Sequence, residues 1–132
     1  YFPGKNPIVC IIDSNLEIPS SQKLFGEAKR IFIYNLQKTE TIGNLSSIQL
    51  DNKRDLATQV CEHLYREQIT NLLVEGGSIT LQHFIDKNLW DKAIIYKSFK
   101  NISNGIFSPM IKGHRVETFN LDDNKVEILC SI

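Results

Sequence analysis

Leu72-Leu73-Val74-Glu75-Gly76-Gly77-Ser78-Ile79-Thr80-Leu81 is the stretch on which the reading of this chain turns. Three apolar residues predict a buried strand, and two glycines then permit a sharp change of direction. The following residues, Ile79 to Ile85, space their apolar positions as a helix does. A strand that passes through glycines straight into a helix leaves backbone N–H groups unpaired at the helix N-terminus. Those donors and the positive end of the helix dipole suit an anion such as a phosphate. Glu75 complicates this, because a carboxylate beside an anion site needs a partner of its own. On the dipeptide alone, an ordinary strand-to-helix bend fits Gly76-Gly77 as well as a pyrophosphate cradle does, since the full GxGxxG spacing is absent.

Outward from this turn the pattern is that of an α/β protein. Ile8 to Ile12 is a continuous apolar run of strand length, the kind that suits a central strand covered on both faces. Asp13-Ser14-Asn15 ends it in turn-forming residues. Arg30 to Tyr34, closed by Asn35, is a second strand, and Ser47 to Leu50 a short third. Asp51 or Asn52 is expected to cap a helix over about 53–68, with Leu56, Val60 and Leu64 on one face, joined by Ala57 and Cys61. Leu72 to Glu75 is the fourth strand, Ser78 to Lys87 the second helix, and Ala93 to Tyr96 the fifth strand. At the C-terminus Val116 to Leu121 alternates strictly, as does Lys125 to Leu129 beyond Asp122-Asp123-Asn124. That pattern predicts an antiparallel hairpin. The expected architecture is therefore α/β, a mostly parallel sheet flanked by helices, with an antiparallel C-terminal hairpin.

Composition limits the function classes. The 132 residues suffice for one domain with its own core, and 42% hydrophobic with 23% charged residues is ordinary for a globular protein. Fifteen basic residues balance fifteen acidic ones, so no global field favours nucleic acid or an anionic membrane. No apolar run approaches the ~20 residues of a membrane span, and no signal peptide is visible. Cys10, Cys61 and Cys130 are odd in number and far apart, which reads as free thiols in a reducing, cytoplasmic setting. The first residue is Tyr1 rather than Met, as in a piece of a longer polypeptide.

Few other residues carry chemistry. Glu75 stands at the carboxyl end of an expected central strand, where open α/β sheets bind ligands. Ser78 and Thr80 place hydroxyls in the first helical turn, where a phosphate would sit, and are equally ordinary helix-start residues. Asp13 and Ser14 share the same sheet edge, where an Asx turn explains them as well as ligand contact does. His63, His83 and His114 lack metal-ligand spacing with one another or with cysteine, so no metal is expected. Trp90-Asp91 reads as a packing anchor, and Lys97, Lys100 and Lys112 as solvated surface.

Several segments together resemble one family, in order and at similar spacing. Pro7 to Pro19 resembles a "P-x-R-V-V-L-D-S-x-L-R-x-P" strand and turn. Leu73 to Leu81 resembles "L-V-E-G-G-x-x-L", Asn88 to Ala93 resembles "G-L-v-D-E", and Asn104 to Pro109 echoes a "G-D-G-i-x-a-P" loop. The family is the reductase domain of the bifunctional riboflavin-biosynthesis deaminase–reductase, which has a dihydrofolate-reductase-like fold. The resemblance spans nearly the whole chain, as a single partial reductase domain carrying the cofactor-binding part. It implies NADPH-dependent reduction of 5-amino-6-(5-phosphoribosylamino)uracil to the ribityl form. It also implies a substrate-binding role for Glu75 and a cofactor-binding role for Ser14, Gly76, Gly77, Ser78, Ile79, Thr80, Leu81, Gln82 and His83. A homodimer is implied as well, for which the C-terminal hairpin offers a strand-rich surface. The resemblance assigns no catalytic residue.

The departures are specific. The family's first strand and the substrate-binding residues that accompany it are not in these 132 residues, so the N-terminal part of the fold is expected to be missing. The zinc deaminase pattern is absent too. Asn88 replaces a usual glycine, Cys10 and Glu17 replace other common residues, and Lys97 to Ser103 lacks a proline-rich strand end. A reductase of the same fold acting on a pterin, and a non-catalytic nucleotide-binding or dimerisation domain, are the competing readings.

Overall fold

In the computed structural model of this protein, residues 7–19, 21–100 and 103–132 are described. In chain order the elements are β1 (Val9–Ile12), α1 (Lys23–Glu27), β2 (Ile31–Asn35), β3 (Glu40–Ile42), β4 (Leu45–Gln49), α2 (Leu56–Arg66), α3 (Ser78–Asp86), β5 (Lys92–Ser98), β6 (His114–Leu121) and β7 (Asn124–Cys130). They divide between two compact units, Tyr1–Val60 and Cys61–Ile132, and α2 runs across the boundary.

The first unit is built on β2. Ile31, Phe32, Ile33 and Tyr34 are all buried, as a continuous apolar run demands of a strand covered on both faces. Parallel neighbours β1 and β4 flank it in the order β1-β2-β4-β3, with Val9 opposite Ile31 and Ile31 opposite Leu45. The short β3 is antiparallel to β4 and ends the sheet. Gly43, at φ +61°, turns β3 into β4, a conformation glycine adopts without steric cost. Neither β3 nor α1 is expected from the sequence. Three exposed residues in β3 and five in α1 are too few to show a period.

Helix α2 lies where the apolar spacing puts it, with Ala57, Val60 and Leu64 buried along one stripe. Its N-cap is Asp55, not the expected Asp51 or Asn52. The Asp55 carboxylate accepts from the Thr58 N–H and hydroxyl, each at 2.8 Å. Gln59 explains the shift. Its buried amide accepts from the Asp51 N–H at 2.8 Å and donates to the Asp51 carbonyl at 2.9 Å, holding 51–55 as a separate turn.

In the second unit β5, β7 and β6 form an antiparallel sheet in that order, so the expected C-terminal hairpin is present and gains β5 at the edge of β7. A bulge between Arg115 and Glu117 interrupts β6. Among the described residues of this unit, Leu64, Phe84, Val126 and Leu129 are the buried apolar side chains. Gly113 is required by packing, since a Cβ there would stand 2.5 Å from the Cys130 carbonyl oxygen and 2.7 Å from the Trp90 ring.

One expected element is absent. Leu72–Glu75 is not a strand: no described residue pairs with it, and Leu73 is 80% exposed. An apolar run gives a segment the propensity for a strand, but the strand forms only where a neighbour supplies the other half of the ladder. α3 nevertheless begins at Ser78 as expected.

Candidate functional site

The turn before α3 has two unlike glycines. Gly76 packs closely, because a Cβ there would lie 2.9 Å from Thr80 Cβ and 3.0 Å from its Cγ2. Gly77 is the N-cap residue, at φ −65° and ψ 169°, and no atom lies within 4 Å of where its Cβ would be. Its backbone conformation suits any residue, so open space rather than strain distinguishes it. No side chain caps the helix. The first-turn N–H groups of Ser78, Ile79 and Thr80 therefore have no side-chain partner, and the positive end of the helix dipole is uncompensated by an acidic residue in that turn. An anion brought against Gly77 meets donors and no obstructing side chain.

Around this turn Glu75 is exposed and makes no side-chain hydrogen bond or ion pair among the described residues. Ile79 is 76% exposed, while Ser78, Thr80, Leu81 and Gln82 are half-buried and His83 is exposed. Gln82 is fully engaged. Its Oε1 accepts from the Met110 N–H at 2.9 Å, and its Nε2 donates to the Met110 carbonyl at 3.2 Å and to Asp86 Oδ1 at 2.7 Å. This clamp joins residues 28 positions apart and has no signature in the sequence.

Ser14 belongs to the first unit, at the carboxyl ends of its parallel strands. The Ser14 carbonyl accepts from the Leu36 N–H at 3.0 Å, and Asp13 N–H donates to the Tyr34 carbonyl at 3.0 Å. The Asp13 carboxylate accepts from the Glu17 and Ile18 N–H groups at 3.0 and 2.9 Å, which makes it the turn-closing residue of 13–18. Beside Leu36 an open cleft of about 430 Å³ is lined by Leu36, Gln49, Leu50, Asp51 and Asn52. It sits where β2 and β4 end, the edge at which parallel sheets receive ligands.

The rim of that cleft depends on Asn35, a buried polar residue that the sequence marks only as the end of a strand. Its Oδ1 accepts from the Gln37 and Lys38 N–H groups, both at 2.8 Å, and its Nδ2 donates to the Ile33 and Ile48 carbonyls at 3.3 Å. One side chain thereby ties the ends of β2 and β4 to the following turn.

Cys10 and Glu127 are among the shifted titratable groups. Burial pushes the Cys10 thiol up, partly offset by a hydrogen bond with Tyr34. Hydrogen bonds from Lys97 and Lys125 hold Glu127 down from 4.5 to about 2. None of the three cysteines is in a disulfide, and all are half-buried. Among the described residues no three His, Cys, Asp or Glu side chains converge as a metal site would need, and no helix is long and apolar enough to cross a membrane.

The family model of the RibD C-terminal domain matches residues 2–127. The riboflavin biosynthesis protein RibD of Buchnera aphidicola subsp. Baizongia pistaciae is 31% identical over 105 residues, covering 76% of this chain and 28% of that protein. RibD of Aquifex aeolicus is 28% identical over 106 residues, covering 77% and 30%. The chain thus spans under a third of these relatives' length. Among solved structures, the diaminohydroxyphosphoribosylaminopyrimidine deaminase/5-amino-6-(5-phosphoribosylamino)uracil reductase of Thermotoga maritima superposes with a TM-score of 0.79 at 20% identity, covering 98% of this chain and 39% of that one. The riboflavin biosynthesis reductase Rib7 of Saccharomyces cerevisiae superposes at 0.70 with 16% identity, covering 96% and 73%. Both likenesses show a shared, dihydrofolate-reductase-like fold.

Proposed function

Because this chain belongs to the RibD C-terminal domain family, we propose that it is the cofactor-binding part of a reductase that converts 5-amino-6-(5-phosphoribosylamino)uracil to its ribityl form with NADPH. The observation that carries the reading is the Glu75-Gly76-Gly77 turn opening into an uncapped α3. A dinucleotide's phosphates fit that geometry: the N–H groups of Ser78, Ile79 and Thr80 supply donors, and the space beside Gly77 admits the anion. We assign Gly76, Gly77, Ser78, Ile79, Thr80, Leu81, Gln82 and His83 to the cofactor, together with Ser14 beside the cleft of the first unit. When bound, NADPH supplies the hydride that reduction of the ribosyl group consumes.

Glu75 is assigned to the substrate. Its carboxylate is exposed and unpaired among the described residues, so it is available to accept hydrogen bonds from substrate hydroxyl or amino groups. The chain's residues bind, orient and cover; hydride chemistry belongs to the cofactor.

A homodimer and a cytoplasmic location complete the proposal. Three cysteines without a disulfide among them support a reducing compartment. Apolar side chains left open on one face of the β5-β7-β6 sheet support the dimer.

The test is equilibrium binding of NADPH and NADH to the full-length protein and to its Gly77→Val variant. The expected result is preferential NADPH binding that weakens about ten-fold or more when the valine side chain enters the anion space. Equal affinity for both nucleotides, with no effect of the valine, overturns the assignment.

A further inference from the structure

The loop 103–110 carries an arrangement that a passive connection between β5 and β6 does not require. Ile106 is 90% exposed, Phe107 93% and Met110 82%. Large apolar side chains held in water along one short segment mark a surface that closes on something. The loop is not left loose at its end. Gln82 pairs with both the N–H and the carbonyl of Met110, as an adjacent strand would. Asp86, one turn further along α3, accepts from the same Gln82 amide and fixes its orientation.

The position of this clamp on α3 is informative. Gln82 lies on the same helix face as Ser78 and Ile79. Ser78 is one turn before it, about 6 Å along the axis. Phe107 is three residues from Met110, a reach of at most about 10 Å in an extended chain. The exposed segment Ile106-Phe107 is thus within reach of the helix N-terminus, where Ile79 is also bare.

We propose that Gln82 is a positioning residue that seats loop 103–110 as a strap across the ligand bound at the N-terminus of α3. Ile106 and Phe107 cover that ligand, and Gln82 contributes through the loop it fixes. The inference rests on the cofactor assignment made above. The ligand class is a dinucleotide whose phosphates meet the helix and whose flatter, less polar part lies under the strap.

Limited chymotrypsin digestion of the full-length protein, read by mass spectrometry at the bond after Phe107, tests this with and without NADPH. In the wild type NADPH is expected to slow that cleavage about ten-fold, since a strap held on its ligand opens less often. In Gln82→Ala the free protein is cut faster and NADPH no longer protects. Its KM for NADPH rises about ten-fold, the scale of one or two lost hydrogen bonds. Gln82→Glu keeps an acceptor for the Met110 N–H and falls between the two, a graded result that a variant damaged in folding does not give. If NADPH binds and protects Gln82→Ala as well as wild type, or binds without protecting either, the strap is wrong and the cofactor site stands. If wild type does not bind NADPH, the cofactor assignment fails and takes the strap with it.

Discussion

Glu127 accepts a hydrogen bond from Lys97 Nζ at 2.6 Å diagonally across the β5–β7 pair, although the carboxylate side chain is only 5% exposed. Lys125 Nζ approaches its other oxygen at 2.9 Å, and Arg115 lies 3.8 Å away on β6. One carboxylate on the central strand thus ties a cation from each of the three strands. The hydrogen bonds from Lys97 and then Lys125 hold its pKa at about 2 against an ordinary 4.5. A depressed folded-state value means the unfolded chain binds the proton more readily. The contribution to stability is therefore fully present above about 4.5 and is lost as pH falls toward 2. Urea unfolding from pH 6 to 2 is expected to show a steeper loss of stability in wild type than in Glu127→Gln. Identical slopes would refute the linkage.

Both long helices of this chain end in the same motif without a glycine. At α2, Ile69 N–H bonds to the Leu64 carbonyl and Gln68 N–H to Tyr65; at α3, Leu89 N–H bonds to Phe84 and Asn88 N–H to Ile85. These are Schellman pairings, and the residues that must turn left-handed are Gln68 at φ +60° and Asn88 at φ +53°. Asparagine tolerates that conformation, so Asn88 closes α3 with little strain. Glutamine does not. Gln68→Gly should raise stability by about 0.5–1 kcal/mol, after the extra entropy of an unfolded glycine is subtracted. Asn88→Gly should change it by less than about 0.5 kcal/mol. Thermal unfolding of the two variants reads the difference directly.

Those two helix ends illustrate what a sequence exposes and what it hides. Strands β1 and β2, helix α3 and the β6–β7 hairpin are legible from local apolar runs and periods, but burial follows only in part. β2 is wholly buried, β1 is a half-buried edge strand rather than the central one its apolar run suggests, and β6 is exposed throughout. The Asp55 cap was not, because Gln59 decides it from within the helix by holding Asp51 elsewhere. Leu72–Glu75 has a strand's composition, yet strand formation belongs to a pair of segments and only one is written there. Within the candidate site, the Gly76-Gly77 turn announced itself, whereas the need for glycine at 76 follows from Thr80 and the role of Gln82 from Met110. Contacts set by three-dimensional neighbours leave no mark on spacing.

The β5-β7-β6 sheet presents a further consequence of register. Tyr96 and Phe119 both pair with Val126, and Ile94 pairs with Ile128, so these side chains share one face. Val126 is buried while Ile94, Tyr96 and Phe119 stay open. Lys92 on β5 and Glu117 on β6 lie at opposite margins of that face. A two-fold axis along β7 would lay β5 of one copy over β6 of another and bring each lysine toward the other copy's glutamate, as an isologous contact requires. Sedimentation of the full-length protein should report a dimer, and Tyr96→Glu should shift it to monomer by placing a charge against the apolar partner face. An unaltered dimer would move the interface away from this face.

Three glycines, finally, separate fold from function. Gly113→Ala drives a Cβ into the Cys130 carbonyl oxygen at 2.5 Å, backbone that cannot rotate away, and should cost about 2 kcal/mol or more. Gly76→Ala meets the Thr80 side chain at 2.9 Å and should cost less, about 1 kcal/mol, because that contact can shift. Gly77→Ala meets nothing, at a φ of −65° that alanine adopts freely, and should leave stability unchanged or raise it by about 0.5 kcal/mol through the unfolded state. Its methyl group nonetheless enters the space assigned to the cofactor phosphates. Urea unfolding and NADPH titration of the same variant should therefore disagree, with folding intact and affinity reduced. Were Gly77→Ala to bind NADPH as wild type does, the open space beside Gly77 would not be where the phosphates sit.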